Sequence, residues 1–245
     1  FNPKYLSSSD YGYRTGINQT MTRHVKKVSE EAVKLVKPLK DDFVLDIASN
    51  DATLLNFYNR KLKTVGVDPL IKKHKKFYSK IDYKLSDFFS YNLLKKKKLN
   101  KKYKIITALS MFYDLKNPHS FVKDIVKILH KDGVFVLEHA DLLSIIKNCC
   151  FDTICHEHLE YYSSKIIINL MNINSLRVFD IKPNSINGGS MRYFICHKDS
   201  KYKNKQKIIS SITKQEKKLK LDSVNTYYKF FKKINSVKMK LKNLL

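Results

Sequence analysis

Val44-Leu45-Asp46-Ile47-Ala48-Ser49-Asn50-Asp51-Ala52-Thr53-Leu54-Leu55 joins an apolar run to a loop of small residues and then to a second apolar stretch. Phe43 to Ile47 is short and continuously apolar except for one acid, as expected of a strand buried on both faces. A helical stretch is expected around Leu54 to Leu62. Strand, small loop and helix start together mark the carboxyl end of a strand, where open parallel sheets bind ligands. Small side chains let a ligand approach the backbone closely. Asp46 and Asp51 put negative charge there, which is wrong for cradling a diphosphate and suits a ligand carrying an ammonium group and a sulfonium.

The same rhythm continues outward from this stretch. Thr64 to Asp68, Tyr83 to Leu85 and Lys104 to Leu109 are further strand candidates. After Pro118, Phe121, Val122, Ile125, Val126, Ile128 and Leu129 recur at helical spacing. That helix is expected to end at Lys131-Asp132-Gly133, with the glycine turning the chain into a fifth strand, Val134 to Glu138. Alternating strands and helices predict an α/β fold built on a mostly parallel, doubly wound sheet. Upstream, Met21, Val25, Val28, Ala32, Leu35 and Val36 predict a helix closed by Pro38. Downstream, residues 164–172 read as helix, and 175–181 and 191–197 as strands. One long helix is expected from about residue 203 to the end. The expected organisation is a covering segment and helix over 1–40, a central domain over 41–200 and a helical linker over 201–245.

The chain has 245 residues, of which 43% are hydrophobic and 29% charged, and glycine and proline together number 11. Collagen-like and low-complexity classes are thereby excluded, and there is apolar material for a core. No run approaches the roughly 18 apolar residues that cross a bilayer, and no signal-peptide pattern opens the sequence. The formal charge of +26 would suit a nucleic-acid partner. Only five of the 48 cations are Arg, however, and phosphate-reading surfaces favour Arg's planar fork. Solvated lysine faces therefore account better for the excess, with an RNA-binding or RNA-modifying protein as the alternative. Cys149, Cys150, Cys155 and Cys196 form no C-x-x-C pair, which favours a reducing, cytoplasmic setting.

Two further acids stand at strand ends. Asp68, followed by Pro69, closes the second strand about twenty residues after Asp46, where a carboxylate can hold both hydroxyls of a ribose. Ser86-Asp87-Phe88-Phe89 follows the third, where an acid can accept from an adenine amino group and an aromatic ring can stack on the base. Each acid alone is also explained as a helix cap. The most distinctive stretch follows the fifth strand: Phe151-Asp152-Thr153-Ile154-Cys155-His156-Glu157-His158-Leu159-Glu160-Tyr161-Tyr162-Ser163. Three readings remain open on the residues alone: a metal site using His156 and His158, a hydrogen-bonded structural turn, and a general base beside a substrate pocket.

The runs VLDIASNDATLL and GVDP resemble the first and second motifs of S-adenosylmethionine-dependent class I methyltransferases, with Ala48 and Ala52 where glycine is usual. Residues 151–163, together with Tyr11-Gly12-Tyr13-Arg14-Thr15-Gly16, Ser110-Met111-Phe112-Tyr113 and Asn187-Gly188-Gly189-Ser190-Met191-Arg192, resemble the sugar C-methyltransferase family. That family methylates keto sugars carried on a nucleoside diphosphate. The resemblance implies a Rossmann-like class I methyltransferase fold and S-adenosylmethionine as cofactor. It implies cofactor contacts from Asp46, Ala48, Ser49, Asn50, Asp51, Asp68, Pro69, Asp87, Phe88, Ser110 and Met111. It further implies His158 as base with Glu157 in support and His156 and Tyr161 nearby; Tyr161 or Tyr162 is expected either to donate to an enolate oxygen or to serve as a core aromatic. Substrate contacts would come from Tyr11, Tyr13, Arg14, Asn187, Gly188, Gly189 and Arg192, the last as a cation near the diphosphate.

The family's pattern is departed from at Cys155, where a tyrosine often stands, and at Asp114, near which some members carry a histidine. No metal is implied in this portion. A zinc-binding segment before it and an α/β domain after the long helix belong to the family, so the chain is expected to be the central part of a longer protein. The chemistry accounts for the histidine: a carbon beside a ketone becomes nucleophilic only after losing a proton, whereas O-methylation, the enzymatic alternative, needs mainly positioning.

Overall fold

The computed structural model describes residues 12–244, so Tyr11 lies outside the described residues. Seven strands form one sheet: β1 (Phe43–Ile47), β2 (Lys63–Val67), β3 (Tyr83–Leu85), β4 (Tyr103–Leu109), β5 (Leu129–Ala140), β6 (Leu176–Asn184) and β7 (Ser190–His197). Their order is β3-β2-β1-β4-β5-β7-β6. The first five pair in parallel, and β7 runs antiparallel to both β5 and β6. Successive strands step outward from β1 to β3, then the chain returns to place β4 on β1's other side. That reversal creates the crevice at the carboxyl edge, between the ends of β1 and β4.

Helix α1 (Gln19–Val36) begins where the Asn18 side chain accepts from the N–H groups of Thr20 and Met21, and ends at Lys37 in a left-handed conformation just before Pro38. It buries Val25, Val28, Ala32 and Val36 against one face of the sheet, together with Val44, Ile105, Val134 and Val136. The opposite face packs Leu45, Ile106, Phe135 and Leu137 against α2 (Tyr91–Lys96), α3 (Pro118–Ile128), α4 (Leu142–Asn148) and α5 (Ser164–Ile173). Central strands with apolar residues on both faces are what a sheet covered by helices on both sides requires.

A buried ion-pair cluster ties α1 to the strands. Glu138 on β5 accepts from Arg192 Nε of β7 at 2.6 Å and lies 2.5 Å from His24 Nε2 of α1. Arg192 also reaches Glu31 of α1 at 2.8 Å through Nη1. Burial alone would raise the Glu138 carboxyl, but the His24 hydrogen bond and the Arg192 charge outweigh it and hold the group below its ordinary range.

Three expectations are corrected. Only a single 3-10 turn, Leu55–Phe57, forms where a helix over 54–62 was expected. Leu54, Leu55, Tyr58 and Leu62 are all buried, so the apolar spacing is used for packing. The Asn56 amide donates to the carbonyls of Ala52 and Phe77 and ties this turn to the segment before β3. Downstream, the expected single long helix is two, α6 (Gln206–Leu219) and α7 (Val224–Lys242). The break falls at left-handed Lys220. Just before it, buried Glu216 accepts from the N–H groups of Ser164 and Lys165 at the start of α5, which anchors the end of α6 to the body.

The third correction concerns Gly133. α3 stops at Ile128 and β5 starts at once, so the glycine sits inside the strand rather than in a helix-ending turn. The register to β4 shifts there, with Leu129 opposite Tyr103 and Val134 opposite Ile105. A Cβ on Gly133 would stand 2.7 Å from the Tyr103 carbonyl oxygen and 3.0 Å from that of His130. Close backbone approach, not a positive φ, is what demands glycine here. Gly133→Ala is expected to lower stability by about 1–3 kcal/mol, read in urea unfolding, because the obstructing atoms are backbone and cannot rotate away.

Candidate active site

Beyond β1 the chain turns through Ala48, Asn50 and Ala52 with φ of 56°, 48° and 61°. All three are left-handed, and none is glycine. The Ala48 N–H bonds the Val67 carbonyl at 2.8 Å, and the Asn50 N–H bonds Asp68 Oδ2 at 2.9 Å, so the loop is clipped to the tip of β2. From below, the Tyr78 hydroxyl donates to the Asn50 carbonyl at 2.9 Å while Ser49 Oγ lies 2.7 Å from the same phenol oxygen. Ala52 carries the same left-handed strain as Ala48. Ala48→Gly is expected to stabilise the fold by about 1 kcal/mol, since the left-handed penalty for a Cβ exceeds the entropy cost of glycine. A melting temperature that falls would refute the strained reading of this loop.

The loop opens into a cavity of about 620 Å³, walled by Asp46, Ala48, Ser49, Asn50, Asp68, Pro69, Asp87, Phe88, Ser110 and Met111 from the strand tips. Tyr13, Thr15, Met21 and Val25 line it from the amino-terminal side, and Tyr113, Asp114 and Lys116 from the turn after β4; Asn187 reaches it from the loop before β7. Asp68 accepts from the N–H groups of Leu70 and Asn50, one on each oxygen, and each oxygen keeps a second lone pair. Asp87 receives the Phe88 N–H on Oδ1 at 2.8 Å, beside a Phe88 ring that is 45% exposed.

Asp46 is only 4% exposed and receives a 2.5 Å hydrogen bond from Thr107 Oγ1 on β4. Burial, with the nearby Asp68 charge adding to it and the Thr107 bond opposing it, pushes its carboxyl up to about 7. Asp51 does not join this wall. Its carboxylate takes the Gly16 N–H at 2.9 Å and lies 3.3 Å from Arg14 Nε, while Asn50 Oδ1 takes the Thr15 N–H at 3.0 Å. Asp51 therefore fastens residues 14–16 over the loop, and Arg14 is spent on that bond and on stacking over Phe77. Sequence reasoning missed Thr107 and Tyr78, which are a strand residue and a buried aromatic with no motif to mark them.

The His-Glu-His stretch is docked on the turn after β4. The N–H groups of Leu159 and Glu160 both donate to the Tyr113 carbonyl, at 2.9 and 3.1 Å. The rings of His158 and Tyr113 have centroids 4.0 Å apart, so the imidazole sits directly behind a side chain that faces the cavity. Nδ1 of His158 is 2.8 Å from the Thr153 carbonyl oxygen. A carbonyl can only accept, so the proton is on Nδ1 and the basic lone pair is on Nε2. Burial pulls the imidazole below its ordinary range, partly offset by the Thr153 bond and the Glu157 charge, and keeps it neutral near pH 7.

The hydrogen bond orienting the ring thus comes from Thr153, and Glu157 acts through its charge. His156 is exposed. The Tyr161 hydroxyl points to the Thr153 and Cys155 carbonyls, at 3.5 and 3.4 Å. Tyr162 is buried against Phe112 and His139. Gly188 and Gly189 have φ of 76° and 133° and press on Cys150 and Ser144, away from the cavity wall. Arg192, expected beside a diphosphate, is consumed by Glu138 and Glu31 and borders a separate cleft with Arg23, Lys27 and Lys182.

Residues 10–178 match the family described as methyltransferase domain, and residues 185–245 match the C-methyltransferase C-terminal domain. The chain belongs to the methyltransferase-domain family. Among curated proteins, the C-methyltransferase NovU of Streptomyces niveus is 24% identical over 189 residues, covering 75% of this chain and 44% of its own length. The chain therefore spans less than half the length of that relative. Among solved structures, magnesium protoporphyrin IX methyltransferase from Synechocystis, with bound S-adenosylhomocysteine, shares 12% identity with a TM-score of 0.56, covering 79% of this chain and 97% of that one.

An S-adenosylmethionine-dependent methyltransferase from Clostridium acetobutylicum is 14% identical with a TM-score of 0.57, over 72% of this chain and 92% of its own. The fold is that of the S-adenosylmethionine-dependent methyltransferases. The cavity presents carboxyls at three successive strand tips and an exposed aromatic ring beside the third, acceptors and a stacking face that would fit S-adenosylmethionine.

The pH dependence of Asp46 gives a test. Its folded value, about 7, lies above the unfolded one, so its contribution to stability is present at low pH and is lost as pH rises toward 7. Asp46→Asn should therefore raise the melting temperature at pH 8 relative to the parent and do so much less at pH 5, while weakening S-adenosylmethionine binding in calorimetry. Equal stabilisation at both pH values would contradict the raised carboxyl.

Proposed function

We propose that this methyltransferase transfers a methyl group to carbon on a nucleotide-linked deoxy-keto sugar, through an enolate formed by a base in the His-Glu-His stretch. The observation that carries this reading is the docking of that stretch on the Tyr113 carbonyl. It sets an imidazole with a free basic nitrogen behind the cavity wall, against Tyr113. The match of residues 185–245 to the C-methyltransferase C-terminal domain and the likeness to NovU support transfer to carbon.

In this reading Asp68 holds the ribose hydroxyls, Asp87 and Phe88 take the adenine, and Asp46 faces the ammonium end. When bound, the cofactor supplies an electrophilic methyl on a sulfonium. The chain's own residues do the rest. The cavity holds donor and acceptor together, which contributes up to roughly 7–11 kcal/mol in favourable cases. His158, neutral and with Nδ1 fixed on Thr153, takes the proton from the carbon beside the ketone at Nε2. Tyr13 and Asn187, on the cavity wall, are the substrate contacts. Arg192 is withdrawn from that set because its charge is already matched by two carboxylates.

Mass spectrometry of nucleotide-linked keto sugars incubated with the full-length protein and labelled S-adenosylmethionine should find a carbon-bound methyl. His158→Asn should reduce its formation by about 10²- to 10⁴-fold and leave cofactor affinity within about twofold. A methyl found on oxygen, with the variant losing little, would replace this reading with O-methylation.

A further inference from the structure

Asp114 stands on the cavity wall, one residue after the tyrosine that backs on His158. Its Oδ1 is buried without a hydrogen-bond partner. Every other acid that encloses the cofactor space is bonded: Asp46 to Thr107, Asp68 to Leu70 and Asn50, and Asp87 to Phe88. A buried oxygen with no partner is costly unless it is protonated or awaits a ligand. Meanwhile the two phenols expected to serve an enolate oxygen are turned elsewhere, Tyr161 toward backbone carbonyls and Tyr162 into the core.

We infer, resting on the C-methylation reading, that Asp114 is a catalytic residue which, as a carboxylic acid, donates its proton in a hydrogen bond to the substrate's ketone oxygen. As His158 removes the neighbouring proton, the C–H bond breaks, its electron pair moves into the enolate, and the new oxygen charge is met by the Asp114 O–H. The enolate carbon then bonds to the methyl carbon, whose bond to sulfur breaks with the pair left on sulfur. The carbonyl re-forms, Asp114 keeps its proton, and no further co-reactant is needed.

The local charges favour this division of labour. Burial first, and the facing Glu157 carboxylate second, push the Asp114 carboxyl up to about 7. Tyr161 also faces it from the docked stretch, and Lys116 and His158 flank the same turn. The same burial pulls His158 down. Burial thus reverses the usual order of a carboxyl and an imidazole, which makes an acid of the first and a base of the second at one pH.

The test is kcat/KM against pH for the full-length protein with a nucleoside-diphosphate keto-deoxysugar, with the position of the methyl determined in the product. The parent should lose activity as pH rises through about 7. Asp114→Asn keeps an N–H donor but cannot titrate, so it should retain activity within about tenfold and lose that descending limb. Asp114→Ala, with folding checked by melting, should lose about 10²- to 10³-fold. Infrared difference spectra of parent minus Asp114→Asn should show a carboxylic-acid band that titrates out near pH 7. An ascending limb abolished in Asp114→Asn would make Asp114 a base and overturn the inference. So would Asp114→Ala at parental activity, or a descending limb that survives in Asp114→Asn. A parent product methylated only on oxygen overturns the C-methylation reading itself, whereas a carbon-methylated product with an indifferent Asp114→Ala overturns the acid alone.

Discussion

The turn that leaves β1 governs this molecule. It reverses the chain through three left-handed residues without a glycine, and conformations of that kind persist only where the surroundings over-determine them. The Val67 carbonyl, the Asp68 carboxylate and the Tyr78 phenol provide that restraint from β2 and the segment after it. The same bonds that hold the strained loop also fix the rim of the cavity. Asp68 is thus a structural clip on the cavity wall that still keeps lone pairs free. The amino-terminal segment depends on the loop in turn, since Asn50 and Asp51 hold residues 14–16 above it.

Much of this could be read in the chain before any coordinates. Periodicity located β1, β3 and α1 within a residue or two, because long apolar patterns at one spacing admit few alternatives. Acids at strand tips located the cavity wall. The failures have local causes. A glycine after a helix suggests a cap, yet Gly133 is needed for contact with the Tyr103 carbonyl, a partner thirty residues away that no local pattern reveals. The apolar spacing of Leu54, Leu55, Tyr58 and Leu62 is real, but it packs a single 3-10 turn against the core rather than a helix.

The cavity wall was legible in its membership and less so in its wiring. Asp51 and Arg14 were read as ligand groups and are instead partners of each other. Arg192 was read as a free cation and is buried between two acids. Charge on a sequence carries no information about which opposite charge will reach it first, and a buried Arg in a fold of this kind cannot remain unpaired. Glu138 had no motif at all, yet it joins α1, β5 and β7.

A consequence follows for how one cavity handles both the cofactor and a proton. Carboxyls that face the same water-poor space are pushed upward by burial, and each additional acid pushes the next. Burial takes both Asp46 and Asp114 on the cavity wall up to about 7, with Asp68 adding to the first and Glu157 to the second. Asp46 also has an oxygen that accepts from Thr107, which favours its ionised form. Asp114 Oδ1 lacks that bond, so its acid form is the one its surroundings favour. Hydrogen bonding, rather than burial, is what distinguishes these two equally raised carboxyls.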